Sequence, residues 1–178
     1  QFPEMLDGRV KTLHPVIHGG ILARRNDPLH RKALTEHNIA TIDLVAVNLY
    51  PFQQTANRPD ASWEELIENI DIGGPALLRS AAKNHEDVIV VVNPNDYKNV
   101  LRQLESEGDC PGKQRVCLAL KAFQHTAEYD TCIHAALGRA ASGSTDCEKF
   151  PELICQSVRK AADLRYGENP GQSAALYR

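Results

Sequence analysis

Two kinds of apolar pattern alternate along this chain of 178 residues. Residues 42–49 and 87–92 form short, mostly apolar runs without strict alternation, and the second run is rich in β-branched residues. Such runs are typical of strands that are buried on both faces of a sheet. Segments in which apolar residues recur every three or four positions stand between and after these runs. Strands separated by helices predict an α/β fold, a three-layer and mostly parallel sheet with helices on both faces.

Capping signals mark where two helices begin. Asp27 before Pro28 opens a helix that we expect to end near His37. Ser62 begins an S-x-x-E capping box and a helix that continues to about Ile70. Helical patterns also cover residues 95–107 and 113–139. The apolar stripe predicted for the longer of these consists of Val116, Leu120, Phe123 and Ala127.

The segment 69–85, N-I-D-I-G-G-P-A-L-L-R-S-A-A-K-N-H, is the most informative part of the chain. Gly73-Gly74 lets the backbone approach a ligand closely, and Pro75 is predicted at the first helical position. The free N–H groups of such a helix start, together with the helix dipole, favour an anion. Arg79 and Lys83 are four residues apart and share a helix face. A buried Gly-Pro helix start with a solvated Arg/Lys face explains the same residues equally well.

Two other segments carry side chains suited to a polar or anionic ligand. If residues 8–12 are extended, Arg9 and Lys11 lie on one side and form a clamp for phosphate or carboxylate with Thr12. A solvated basic strand is the alternative interpretation. Asn48 and Tyr50 follow the first strand, and ligands of parallel α/β sheets bind at the carboxyl ends of strands. Taken alone, Tyr50 is better interpreted as a side chain packed at the sheet edge.

Composition and charge exclude several classes of function. Apolar residues make up 42%, charged residues make up 24% and the net charge is −3, which indicates neither a nucleic-acid nor a membrane surface. The five cysteines contain no C-x-x-C pair, which argues against a disulfide framework or a zinc site and favours a reducing, cytoplasmic compartment. His14 and His18 have the H-x-x-x-H spacing of metal ligands. Because Pro15 follows His14 and no other ligand completes the set, we expect no metal.

Five motifs along the chain are similar to those of one enzyme family. They are L-D-G-R-V-K-T-L-H-P-V-I-H-G-G-I-L-A-R at 6–24, V-N-L-Y-P-F at 47–52, the segment at 69–85, L-A-L-K-A-F-Q-H-T-A-E-Y-D at 118–130 and L-R-Y-G-E-N-P at 164–170. Together they resemble the bifunctional purine-biosynthesis enzymes phosphoribosylaminoimidazolecarboxamide formyltransferase / IMP cyclohydrolase. The resemblance implies an IMP cyclohydrolase domain of methylglyoxal-synthase-like fold over residues 1–150. It also implies a linker and the first segment of an AICAR transformylase domain over residues 151–178.

The start of the chain, at Gln1 without a methionine, is expected to be a truncation. The family's cyclohydrolase domain begins with further strand-loop-helix units that hold the 5′-phosphate, and none of them precedes Gln1. We therefore expect a fragment of the family enzyme that is inactive by itself.

The resemblance also implies a reaction. In the family, the smaller domain closes formyl-AICAR to IMP with loss of water and uses no metal or cofactor. The larger domain formylates AICAR with 10-formyltetrahydrofolate as co-substrate, and the enzyme works as a homodimer.

The resemblance assigns roles residue by residue. It implies that Lys83 handles the proton and that Tyr50, Asp71 and Lys11 surround the reacting atoms. The residues it places on the nucleotide are Arg9, Lys11, Thr12, Val47, Asn48, Asp71 and Ile72. It makes the N–H groups of Gly73 and Gly74 donors to the developing oxyanion. Arg165 and Tyr166 match residues that contact AICAR in the transformylase site, whereas Gly171 stands where the family motif predicts a histidine.

Two other functions are compatible with the same fold. A methylglyoxal-synthase-like regulatory domain would bind a phosphorylated metabolite without chemistry, but it gives no reason for Tyr50, Asp71 and Lys83 to occur together. Methylglyoxal synthase itself would need its own catalytic aspartates in the glycine-rich part of the chain, and that pattern is not found.

Overall fold

The computed structural model describes residues 10, 12–141, 152–169 and 171–178. Their helices and strands in chain order are α1 (Pro15–Leu22), α2 (Pro28–Glu36), β1 (Leu44–Ala46), α3 (Phe52–Ala56), α4 (Trp63–Glu68), α5 (Gly73–Lys83), β2 (Ile89–Val91), α6 (Tyr97–Glu107), α7 (Gly112–Ala141), β3 (Lys160–Leu164) and β4 (Ala174–Tyr177). A 3₁₀ turn at Pro94–Asp96 precedes α6. The chain divides into two compact units, Gln1–Ile133 and His134–Arg178. The domain boundary predicted at residue 150 lies outside the described residues.

The first unit is built on a parallel pair of strands. β1 and β2 pair with Leu44 opposite Ile89 and Ala46 opposite Val91. The ladder continues past β1, where the Val47 N–H donates to the Val91 carbonyl at 3.2 Å. Helices α3, α4 and α5 connect the two strands, as the predicted α/β pattern requires.

The two strands differ in burial. All three residues of β2 are buried, which confirms the strand predicted over 87–92. In β1 only Val45 is buried and Leu44 is 42% exposed, so the expectation that this strand is covered on both faces is wrong for the residues described. In this part of the chain β1 pairs with β2 alone, and alternate burial is what a strand covered on one face shows.

Helix α5 packs its small side chains into the core around β2. Leu78, Ala81 and Ala82 are fully buried and follow the three-and-four spacing of one helix face. The other buried apolar side chains of this core include Ile21 of α1, Val45, Val88 to Val91, Val100 of α6, and Leu118, Ala119 and Ala122 of α7. This core fixes α5 against β2, and it thereby sets where the loop before α5 lies.

Helix α7 buries a different stripe from the predicted one. Its buried positions include Leu118, Ala119, Ala122 and Thr126. The predicted stripe is exposed: Val116 by 44%, Leu120 by 63% and Phe123 by 39%. The helix carries apolar residues on more than one face, and the face with the small alanines allows the closer approach to its neighbours.

The second unit contains an antiparallel pair, β3 with β4, which the irregular sequence pattern did not predict. The pairing has an irregularity between Lys160 and Ala162. Gly171 lies before β4 with φ of +90°, a backbone conformation that glycine adopts without strain. In the described ranges, no helix is long and apolar enough to cross a membrane.

The capping signals are confirmed. Asp27 accepts from the N–H groups of Leu29 and His30 at the start of α2. At the start of α4, the Ser62 hydroxyl accepts from the Glu65 N–H at 3.1 Å, and the Glu65 carboxylate accepts from the Ser62 N–H at 2.9 Å. The Ser62 N–H, followed by the Arg58 guanidinium, holds the pKa of Glu65 below its usual range.

Replacing Ser62 with alanine should lower the free energy of unfolding by about 1 kcal/mol, because one N–H at the start of α4 loses its acceptor. Urea unfolding at an unchanged slope measures this effect. Ser106→Ala is the matched control, since Ser106 lies at an exposed position inside α6, where alanine favours the helix. Equal stability of the Ser62→Ala variant and the wild type would contradict a stabilising role for the capping box.

Candidate active site at the start of α5

The candidate site lies where the chain leaves β1 and where α5 begins. The Asp71 carboxylate connects these two places. One of its oxygens accepts from the Gly74 N–H at 2.8 Å, and the other accepts from the Tyr50 N–H at 3.3 Å. A single side chain thus holds the segment after β1 to the first turn of α5.

The helix start differs in detail from the prediction. α5 begins at Gly73 with Ile72 as its N-cap, so Pro75 occupies the third helical position and not the first. The missing N–H of a proline is tolerated there as well, because the first four N–H groups of a helix have no partner within it. The Ile72 side chain makes no capping hydrogen bond, and Asp71 supplies the acceptor for Gly74 from one residue further back.

The Gly74 N–H is therefore not a free oxyanion donor. It was expected to face the ligand, but in this structure it stabilises the Asp71 carboxylate. The Val47 N–H is likewise occupied, by the strand ladder with Val91. A main-chain hydrogen bond from Val47 to a nucleotide would therefore have to use its carbonyl group.

Both glycines have close neighbours at the place where a Cβ would lie. A Cβ on Gly74 would lie 2.6 Å from Leu49 Cδ2 and would also overlap the Asp71 carboxylate. A Cβ on Gly73 would overlap the Thr12 side chain. These contacts place Thr12 beside the start of α5, next to Asp71 and the segment that ends in Tyr50.

The structure brings together Thr12, Tyr50, Asp71 and the two glycines. Tyr50 is 58% exposed, so it is not packed away at the sheet edge. Asn48 and Ile72 are also exposed. Arg9 and Lys11 lie outside the described residues, so their predicted contacts with the nucleotide stay predictions.

Lys83 lies at the opposite end of α5. It is the last residue of that helix, ten residues after Gly73, which corresponds to about 15 Å along the helix axis. Its side chain is exposed. Arg79 lies on the same helix with its guanidinium carbon 5.8 Å from the centre of the Phe123 ring of α7, in a cation–π contact. The described contacts do not join Lys83 to Asp71, and its predicted role is untested by them.

One residue at this site was not singled out by the sequence. The Tyr129 hydroxyl of α7 accepts from the Asp71 N–H at 2.9 Å and donates to the Asn69 carbonyl at 3.2 Å. These partners are 58 and 60 residues away in sequence. A local pattern cannot show such a pairing, although Tyr129 does belong to one of the motifs that carry the family resemblance.

The two histidines with metal-like spacing have structural partners. His14 Nδ1 accepts from the Val16 N–H at 3.1 Å and caps α1. His18 Nδ1 lies 3.0 Å from the Ser80 hydroxyl of α5. In the second unit, Arg165 and Tyr166 follow β3 directly, and both are exposed.

Comparison with known families gives two matches along the chain. An MGS-like domain matches residues 1–76, and the AICARFT/IMPCHase bienzyme matches residues 81–178, which is more than half of the chain. This chain belongs to the AICARFT/IMPCHase bienzyme family. The MGS-like match and the parallel strands with their helices confirm the predicted α/β fold of methylglyoxal-synthase type.

Individual relatives agree with this assignment to the AICARFT/IMPCHase family. The bifunctional purine biosynthesis protein PurH of Oceanobacillus iheyensis is 54% identical over 177 residues, which cover 99% of this chain and 34% of that protein. PurH of Desulfitobacterium hafniense is 55% identical over 180 residues, covering 99% and 35%. The chain spans about a third of the length of these relatives.

A solved structure is similar as well. The crystal structure of ForH superposes with a TM-score of 0.65 at 41% sequence identity, and the match covers 76% of this chain and 70% of that one. At this identity the likeness extends beyond the general fold.

Gly74→Ala should destabilise the protein by about 1–3 kcal/mol, because the added methyl group meets Leu49 and the Asp71 carboxylate at the same time. Chemical denaturation measures the loss. Gly112→Ala is the matched control: a Cβ there meets nothing within 4 Å at the first residue of α7. If both substitutions changed the free energy of unfolding equally, the close contacts at Gly74 would not be the cause of the destabilisation.

Proposed function

We propose that this chain supplies the IMP cyclohydrolase site of a bifunctional purine-biosynthesis enzyme, and that the site closes formyl-AICAR to IMP with loss of water. The observation that carries the proposal is the cluster at the start of α5, where Asp71 holds Tyr50 and the Gly73-Gly74 turn together beside Thr12. Such a position, at the carboxyl end of a parallel strand, is where α/β proteins bind their ligands. Family membership supplies the reaction.

The ring closure suits a site made of polar side chains. In this reaction the carboxamide nitrogen attacks the formyl carbon of the same molecule, and water leaves after the proton transfers. The nitrogen is a poor nucleophile, so holding the two groups at near-attack distance supplies much of the acceleration. The remaining requirements are a group that moves protons and donors for the oxygen charge of the tetrahedral intermediate.

The described geometry favours particular residues for these roles. Asp71 is held at a defined place by two backbone N–H groups, which suits a carboxylate that orients the carboxamide. The exposed Tyr50 hydroxyl and the Thr12 hydroxyl are candidate donors to the substrate, since the Gly74 N–H is already bound. Lys11 is adjacent to Thr12 in the sequence, and together with Arg9 it is proposed to bind the nucleotide.

Lys83 keeps the proton-handling role in this proposal on the strength of the family resemblance. Lys83 is the last residue of α5, whereas Asp71 precedes the first. The length of the helix therefore separates the two residues, and this helix does not by itself bring them together.

Further parts of the proposal concern the longer enzyme. The relatives are named as bifunctional proteins, and we infer that the transformylase half uses 10-formyltetrahydrofolate to formylate AICAR. Arg165 and Tyr166 would contact AICAR in that half. A homodimer and a cytoplasmic location belong to the same proposal.

The test is to add formyl-AICAR to the full-length protein that contains this chain and to follow the formation of IMP. Cyclisation well above the uncatalysed rate supports the proposal. Binding of the nucleotide without turnover would favour a regulatory MGS-like domain and would overturn it.

The variants Lys83→Ala and Asp71→Asn test separately whether each of these two residues acts on the reacting atoms. A lost proton-handling group lowers kcat by a factor on the order of a hundred or more, and binding of IMP changes far less. We expect a fall of that size for Lys83→Ala, and a comparable fall for Asp71→Asn because the amide no longer attracts a developing positive charge. Steady-state kinetics of IMP formation measure both, and near-normal turnover would remove the mutated residue from the mechanism.

Arg9→Ala should instead weaken binding of the nucleotide. A charge-assisted hydrogen bond to an anionic group contributes roughly 1.5–3 kcal/mol, which corresponds to about a 10- to 150-fold loss of affinity. Calorimetry with IMP measures this, and Arg102→Ala on the exposed surface of α6 is the control. Equal affinities of the two variants would show that residues 8–12 form only a solvated basic segment.

A further inference from the structure

Tyr129 connects α7 to the segment that carries Asp71. Its hydroxyl accepts from the Asp71 N–H at 2.9 Å and donates to the Asn69 carbonyl at 3.2 Å. It therefore uses both its donor and an acceptor position on main-chain groups that flank Ile70. Burial raises the pKa of Tyr129, so the hydroxyl keeps the proton that it donates.

The Tyr129 ring is held in place from a second side. The Phe52 ring of α3 meets it edge to face, with ring centres 6.2 Å apart and an angle of 70° between the planes. Phe52 is only 1% exposed and lies two residues after Tyr50. An edge-to-face contact of this kind limits how far the ring can move, and the hydroxyl is thereby fixed in space.

These contacts of Tyr129 also affect the direction of the Asp71 side chain. Both carboxylate oxygens are bound to N–H groups, one from Tyr50 and one from Gly74. The direction of the carboxylate therefore depends on where the Asp71 main chain sits, and the Tyr129 hydroxyl holds that main chain. Without this hydroxyl, the Asp71 N–H and the Asn69 carbonyl lose a partner, and the turn before α5 is free to shift.

We infer that Tyr129 is a positioning residue of the cyclohydrolase site, acting through Asp71 without touching the substrate. This inference rests on the proposed function. A shift of about 1 Å at the reacting groups is enough to lower turnover by about a hundredfold. The loss of the two hydrogen bonds of this hydroxyl, which act only through the main chain at Asp71, should therefore change turnover more than it changes binding.

The experiment uses the full-length protein and the variant Tyr129→Phe, which keeps the ring against Phe52 and removes only the hydroxyl. Tyr97→Phe is the matched control, because Tyr97 begins α6 and is 38% exposed. For both variants kcat and KM of cyclisation are measured, together with the transformylase activity of the same preparation. The transformylase activity reports the amount of intact enzyme, and the number of IMP-binding sites measured by calorimetry reports whether the cyclohydrolase domain is folded.

We expect Tyr129→Phe to lower the kcat of cyclisation roughly 10- to 100-fold while KM and the transformylase activity stay close to the wild-type values. Tyr97→Phe should change none of these quantities. A merely structural role would lower the number of IMP-binding sites in parallel with kcat, or would lower neither, and either result would overturn the inference.

A second variant and a second measurement address misfolding of Tyr129→Phe. Phe52→Leu keeps the hydroxyl but loosens the ring, and it should lower kcat in the same direction by a smaller factor. Hydrogen exchange at the Asp71 amide should be faster in Phe52→Leu than in Tyr97→Phe, and unchanged exchange would overturn the inference. If the wild type forms IMP and these variants match it, positioning by Tyr129 is wrong although the proposed function stands. If the wild type forms no IMP, both fail.

Discussion

The Asp71 carboxylate joins the segment after β1 to the first turn of α5, and the arrangement of the candidate site depends on that connection. Hydrogen bonds to a charged acceptor contribute more than those between neutral groups, and the positive end of a helix dipole favours an anion at this position. The same carboxylate lies so close to α5 that a Cβ at residue 74 would overlap it. The geometry thus combines an attractive interaction with a strict limit on side-chain size.

The scaffold behind this connection is rigid for ordinary reasons of packing. β2 is buried throughout, and α5 presents alanines and a leucine to it, so helix and strand approach closely. Dense packing of this kind transmits small displacements, because a close-packed core has little free volume. On the other side, Tyr129 and Phe52 hold the turn before α5 through contacts that come from two further helices. The polar site is therefore supported both by an apolar core and by one partly buried tyrosine.

Features that depend on nearby residues could be predicted from the sequence. The caps at Asp27 and Ser62 are examples, and so is the run of β-branched residues that becomes β2. The α5 motif placed Asp71 and the two glycines correctly at a helix start, because each of those residue types has a local conformational preference.

Features that depend on distant partners could not be predicted. Helix α5 begins at Gly73, two residues earlier than the predicted start at Pro75. The reason is that the Asp71 carboxylate accepts a hydrogen bond from the Gly74 N–H in the first turn. The buried face of α7 was misjudged since hydrophobicity alone does not distinguish two apolar stripes, whereas the size of Ala119 and Ala122 does when a neighbour is present. Tyr129 has partners about sixty residues away, and the pairing of β3 with β4 likewise joins residues that no short pattern connects.

The close approach at Gly74 also has a consequence for the history of the gene. Every missense codon change at that position adds a Cβ, and the nearest obstacles are the Leu49 side chain and the Asp71 carboxylate. A substitution at residue 74 is therefore best tolerated when a smaller side chain at position 49 or a displaced carboxylate accompanies it, so changes at these three positions are expected to occur together.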